Sequence, residues 1–159
     1  MSDSIYFWKI NQKYGEFSQW FISTFSDGEN EYNCCEQYMM FMKAVLFNDL
    51  DIAAEILEQK DPKIQKKLGR KVKNFDYRKW NNFKEAIVFT ANYYKFNQNN
   101  ELKDLLLSTQ PKHIYESSPY DKIWGIGITK KQALNGIKIN GQNLLGIAIM
   151  DVRNDINKQ

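Results

Sequence analysis

Lys43 occupies a segment with little room for charge. From Cys35 to Phe47 the chain reads CEQYMMFMKAVLF, with Phe41, Met42, Ala44 and Val45 flanking the lysine. On a helix, positions 36, 40, 43 and 47 share a face, which puts Glu36 and Lys43 on one side with Met40 between them. Two turns separate them, about 10.5 Å along the axis. A helix apolar nearly all round is one wrapped by others. Two placements of the ammonium group stay open. The stem can snorkel its head to water. Alternatively the head points into an internal cleft, where desolvation lowers its pKa and leaves a neutral amine, a nucleophile toward carbonyl carbon. Glu36 is equally open: it is the carboxylate beside that amine, or it closes a capping box begun at Asn33.

The elements that must position these residues are mostly helical. IYFWKI, residues 5 to 10, reads as a short strand, and Tyr14 to Ser26 as an irregular, partly buried segment around Gly15. A helix follows Asn33 and runs to about Phe47. LDIAAEILEQ is a second, with Ile52, Ala53, Ile56 and Leu57 on its stripe. DPKIQKKLGR carries its own punctuation, with Asp61 as cap, Pro62 at the first helical position and Gly69 as stop. The longest helix is expected over about 76–96, on the spacing of Tyr77, Trp80, Phe83 with Lys84, Ile87, Ala91 and Tyr94. ELKDLLLST forms another. QPKHIYESSPYDKIWGIGIT, with two prolines and two glycines, reads as extended chain plus loop. ALNGIKINGQN reads as loop with a short hairpin. A last helix, about 143–156, buries Leu145, Ile149, Val152 and Ile156. The fold class is thus mainly α, a single compact helical domain over residues 1–159 with short extended segments.

Composition narrows the function classes. The 159 residues are 43% hydrophobic and 26% charged, enough apolar content for a packed core and against wholesale disorder. Aromatic residues make up 14%, so some can line a pocket for a flat ligand. Net charge is +3, carried almost wholly by lysine, with Arg70, Arg78 and Arg153 the arginines. The lysine run from Lys60 to Lys73 reads first as a solvated helix face and second as a phosphate or nucleic-acid patch. The adjacent Cys34 and Cys35 form no disulfide framework, which points to a reducing, cytoplasmic setting. No signal peptide is visible, and no apolar run approaches the ~20 residues of a membrane span. His113 is the one histidine, and no Cys/His spacing suggests a metal site.

Eight short motifs, in fixed order, carry a family resemblance. They are GEFSQW at 15–20, EQYMMFMKA at 36–44, LGR at 68–70, the isolated Trp80, KF at 95–96, LLLST at 105–109, YESSPYDKIWGIG at 115–127 and NLLGIAIMDVR at 143–153. Together they resemble the YbiA-like, or NADAR, family over about residues 6–155. The resemblance implies a helical fold that hydrolyses N-glycosidic bonds of ribosyl compounds without metal or organic cofactor. One branch acts on phosphorylated ribosylamine intermediates of riboflavin synthesis. Another removes ADP-ribose from guanine bases, so a nucleic acid enters as modified substrate, and in that branch a lysine forms a Schiff base with the opened ribose. Lys43 matches that lysine, at the end of EQYMMFMK. Two departures stand out: Gln37 replaces a histidine found in some members, and WGIG replaces a WGDG variant.

With that chemistry in view, other residues become candidates. Breaking an N-ribosidic bond requires a proton for the leaving nitrogen and stabilisation of positive charge on the sugar, work for a carboxylate. Glu36, Glu116 and Asp121 are expected to supply it, with Glu16 beside Gly15 a fourth. Asp121, after Pro119, reads equally as a turn residue. Trp124 can stack on a base, Gly125 lets backbone approach a ligand, and Phe17 offers an opposing face. Phosphate is expected at Arg70 or at the N-terminus of the last helix near Asn143. Trp80 reads as core. The alternatives are a non-catalytic module that binds NAD or ADP-ribose, and a helical interaction protein with a solvated Lys43.

Overall fold

The computed structural model describes residues 4–159. Among them are seven α-helices and four short strands, a mainly α fold as expected. The chain divides into two compact units. One combines the first 21 residues with Asn100–Gln159; the other is Ile22–Asn99.

The two-ended unit is built on a parallel strand pair. β1 (Ser4–Phe7) runs beside β4 (His113–Glu116), with Ile5 opposite Ile114 and Phe7 opposite Glu116. Alternation puts Ile5, Phe7 and Ile114 on the buried side. A single 3₁₀ turn, Gly15–Phe17, follows β1. α5 (Asn100–Ser108) and β4 both pack on α7 (Leu144–Asn157), which buries Leu145, Ile149, Val152 and Ile156. α6 (Lys130–Leu134), which the sequence reading missed, ends inside the first two residues of the stretch read as loop with a short hairpin; the rest of that stretch is loop and forms no strand. The capping box of α6 was legible in the sequence: the Thr129 hydroxyl accepts from the Gln132 N–H at 3.1 Å and the Gln132 side chain accepts from the Thr129 N–H at 2.9 Å.

The continuous unit is helical. A two-residue antiparallel pair, β2 (Phe25–Ser26) and β3 (Glu31–Tyr32), leads into α1 (Cys35–Leu46). Around α1 pack α2 (Leu50–Glu58), α3 (Pro62–Gly69) and α4 (Tyr77–Asn97). The Asp61 cap follows the sequence reading; the Asp49 and Asp76 caps were not read from it. Asp49, Asp61 and Asp76 each accept a first-turn N–H, each worth about 1 kcal/mol. Gly69 differs from expectation: it is the last residue of α3, not a left-handed stop, and a Cβ there would strike the Met40 thioether. Close packing against the Met40 side chain of α1, rather than termination, is what the glycine accommodates.

The start of α1 also corrects the capping-box reading. Cys34 is the N-cap and no side chain caps the helix. The Asn33 side chain is engaged elsewhere, donating to Lys60 O at 2.7 Å and accepting from Gln65 at 3.0 Å. The side chain that reaches back is Gln37, whose Oε1 accepts from the Asn33 N–H at 2.7 Å. Glu36 is therefore buried, at 8% exposure, for a reason other than capping.

Candidate active site

In the helical unit, α1 changes character halfway along. Cys35 to Met40 are buried on every side, whereas Phe41, Met42 and Lys43 are half-buried. Lys43 thus sits where the wrapped part of the helix opens. Its Nζ lies 4.8 Å from the Phe75 ring centroid and 5.8 Å from that of Trp80, within cation–π range. Desolvation lowers the Lys43 pKa below the ordinary lysine value; the Glu36 carboxylate opposes that shift and the Arg70 guanidinium adds to it. Arg70 itself is exposed, capping the C-terminus of α3. The amine is neither freely solvated nor locked in a tight ion pair, and the neutral fraction that nucleophilic attack requires is raised.

The neighbours of this amine were only partly legible. Lys43, Glu36 and Arg70 were singled out by sequence. Trp80, read as core, is indeed buried, yet its ring faces the amine. Phe75 precedes α4 in a connecting segment, with no periodicity to mark it. Cys34 and Cys35 are buried free thiols, raised by burial to about 12 and about 11 respectively, so neither is poised as a thiolate. Gln37, at the position of the family histidine, is a buried clasp: its amide donates to Ile56 O and Gln59 O, each at 3.0 Å, joining α1 to the end of α2.

The remaining sequence candidates lie in the two-ended unit, and several have structural tasks there. Phe17 offers no face to a ligand. It is fully buried, edge-on to Phe7 at 5.8 Å and stacked on Tyr14 at 5.8 Å. Gly15 lies against the Ile10 backbone, where a Cβ would clash, and Glu16 beside it is half-buried in the 3₁₀ turn. Gly125 does permit a close approach, but to protein: a Cβ would stand 2.9 Å from the carbonyl oxygens of both Asp121 and Glu116. The Asp121 Oδ1 accepts from the Ile123 and Trp124 N–H groups at 2.9 and 2.8 Å, the turn role foreseen as its alternative. Trp124 is half-buried. Glu116, at the end of β4, is half-buried and accepts at its carbonyl from the Ile126 N–H at 2.8 Å.

The N-terminus of α7 corrects the phosphate expectation. Its first donors are already spent: the N–H groups of Asn143, Leu144 and Leu145 donate to the carbonyls of Gly125, Ile123 and Trp124 at 3.0, 3.1 and 3.1 Å. The Asn143 side chain is spent too, accepting from the Glu116 N–H at 3.0 Å and donating to Ile114 O at 2.9 Å. Asn143 adopts φ 54°, the left-handed region that asparagine tolerates better than most residues. This helix end holds a loop rather than an anion. Among the described residues, no three of the His, Cys, Asp and Glu side chains cluster as metal ligands, and no helix is long and apolar enough to cross a membrane.

Comparison with known proteins identifies the class. The NADAR domain family profile matches residues 6–157, so one domain definition spans both units. The chain is 47% identical over 147 residues to N-glycosidase R617 of Acanthamoeba polyphaga mimivirus, covering 87% of this chain and 86% of that protein. It is 28% identical over 157 residues to N-glycosidase YbiA of Escherichia coli strain K12, covering 98% and 91%. The NMR structure of the E. coli protein YbiA superposes with a TM-score of 0.82 at 26% identity, covering 99% of this chain and 88% of that one. The chain belongs to the NADAR domain family. Its enzyme class is that of these curated relatives, N-glycosyl hydrolase.

Proposed function

We propose that this N-glycosidase cleaves the N-ribosidic bond of a phosphorylated ribosyl compound through an imine on Lys43. The substrates this reading favours are a ribosylamine phosphate of the riboflavin-pathway type and ADP-ribosyl guanine, free or within a nucleic acid, handled in the cytoplasm without metal or organic cofactor. The Lys43 amine attacks the anomeric carbon, or C1 of the ring-opened sugar, and the base leaves with its bonding electron pair and a proton. The ring C1–O bond of the resulting adduct then breaks, its oxygen takes a proton and the iminium forms without loss of water; one water hydrolyses that iminium to the free phosphorylated sugar and the Lys43 amine. Glu36, on the same face of α1, carries protons and stabilises the cationic sugar. Arg70 supplies a charge-assisted fork for phosphate. Glu116, Asp121 and Glu16 remain secondary candidates for proton traffic, and Trp124 for stacking on the base.

The observation that carries the reading is the position of Lys43: half-buried, desolvated, beside two aromatic rings and within the field of a buried carboxylate. Borohydride reduction in the presence of ribose 5-phosphate or ADP-ribose tests it. The expected result is a sugar-mass adduct on the peptide containing Lys43, lost in Lys43→Ala. Turnover of a substrate panel by Lys43→Ala at the wild-type rate overturns the imine. Tight binding of ADP-ribose without turnover by the wild type would instead make the protein a reader.

A further inference from the structure

The α1–α4 seam buries two amines that the mechanism above does not use. Lys95 is 1% exposed and Lys84 8%. Burying an ammonium group costs several kcal/mol unless nearby charge and hydrogen bonds offset it. We propose that Lys95 is a positioning residue for the lysine chemistry: it holds the Glu36 carboxylate inside the seam and so limits how much of its charge reaches Lys43. The proposal rests on the imine reading of Lys43.

Two contacts fix the register of the seam. Lys43 meets Trp80 at 5.8 Å, and the Cys35 thiol meets Asn92 Oδ1 at 3.7 Å. The two helices therefore run antiparallel, with the N-terminal end of α1 beside the C-terminal part of α4. Lys95 lies one turn beyond Asn92, and Glu36 adjoins Cys35. The Cys35 thiol records both charges: the Lys95 ammonium lowers its pKa and the Glu36 carboxylate raises it, burial being the largest influence. Glu36 also acts on Lys43. One carboxylate thus shares the surroundings of Cys35 with a buried amine and also acts on the reactive amine two turns along α1.

Few other charges compete in that interior. On the elements packed against α1, the charged side chains of α2 (Asp51, Glu55, Glu58), of α3 (Lys63, Lys66, Lys67) and of β3 (Glu31) are exposed, as are Arg70, Arg78, Lys79 and Glu85. Asp49 is buried, but its carboxylate accepts from the N–H groups of Ile52 and Lys73. Lys84, one turn beyond Trp80, is the remaining buried charge of α4. Buried charges act on one another far more strongly than solvated ones. The charges that act on Lys43 are those of Glu36 and Arg70, so removing the Lys95 charge acts through Glu36, which is then free to attract Lys43. That change makes Lys43 hold its proton to higher pH.

The test compares wild type, Lys95→Met, Lys95→Gln and Lys95→Arg in the full chain, reading the pH dependence of Lys43 acylation by acetic anhydride through peptide mass spectrometry. The expected midpoint rises by about one pH unit in the Met and Gln variants and returns to wild type in Lys95→Arg. Near neutral pH, borohydride trapping falls about tenfold in step with it. A folded Met or Gln variant with lowered Tm and an unmoved midpoint overturns the proposal, as does a midpoint shift in Lys95→Arg equal to that in Lys95→Gln. The acylation readout needs no turnover. Absence of a borohydride adduct in the wild type would sink the imine reading while the midpoints still decide the role of Lys95.

Discussion

The α1–α4 seam of the helical unit and the loop between β4 and α7 in the two-ended unit are both rich in family motifs, yet they use polar side chains in opposite ways. In the loop, the polar groups are consumed by backbone. Asp121 takes two N–H groups, Asn143 ties Glu116 to Ile114, and the first turn of α7 donates to three loop carbonyls. In the seam, a half-buried lysine and a buried glutamate act on each other through their fields, on a helix whose backbone is already satisfied internally. A regular element satisfies its own backbone and does not need every side chain for that task, although Gln37 on α1 still clasps the end of α2. An irregular element spends its side chains on holding its own shape.

Four substitutions would break or sharpen this contrast. The largest effect belongs to the seam. Lys43→Ala is expected to lower kcat by about 10³-fold or more, as removal of a nucleophile does, with denaturant stability little changed. Next is Asn143→Ala, which strands a buried N–H and a buried carbonyl. A loss of about 2 kcal/mol or more in urea unfolding is expected, and an unchanged midpoint would show that the clasp is dispensable. Asp121→Ala removes a turn cap and should cost about 1 kcal/mol. A kcat loss comparable to that of Lys43→Ala, without loss of stability, would instead move Asp121 from scaffold to chemistry.

The smallest effect tests a sign. Lys43 has a folded-state pKa below its unfolded value, so between those two values the unfolded chain binds more protons and stability rises with pH. Lys43→Met, which keeps the stem and drops the charge, should therefore raise Tm modestly at neutral pH. The gain should shrink as pH climbs toward the ordinary lysine range. A destabilised Lys43→Met at pH 7 would mean that the attraction of Glu36 outweighs desolvation.

Much of the fold was legible because local rules and global packing agree. Asp61, Pro62 and Asp76 marked helix starts that the structure keeps, and the apolar stripe of α7 gave its buried face. The failures share a cause. Asn33 looked like a cap, but Lys60 and Gln65 claim its side chain from 27 and 32 residues away. Phe17 looked available to a ligand, but Phe7 and Tyr14 enclose it. The glycine at 125 was read as letting backbone approach a ligand, but the groups that crowd it are the carbonyls of Asp121 and Glu116, and those were invisible in the sequence.

The order and type of residues by themselves determined most of the helices, the Asp61 cap and the anomaly of an amine at position 43, because propensity, capping and periodicity act over a few residues. The motif order likewise determined the family. Only the tertiary structure decided that Phe75 and Trp80 flank that amine, that Glu36 is buried without capping, and that the donors of α7 are already taken. Those outcomes depend on which distant groups arrive first at a shared hydrogen-bonding partner or a shared patch of apolar surface, and no local rule encodes that competition.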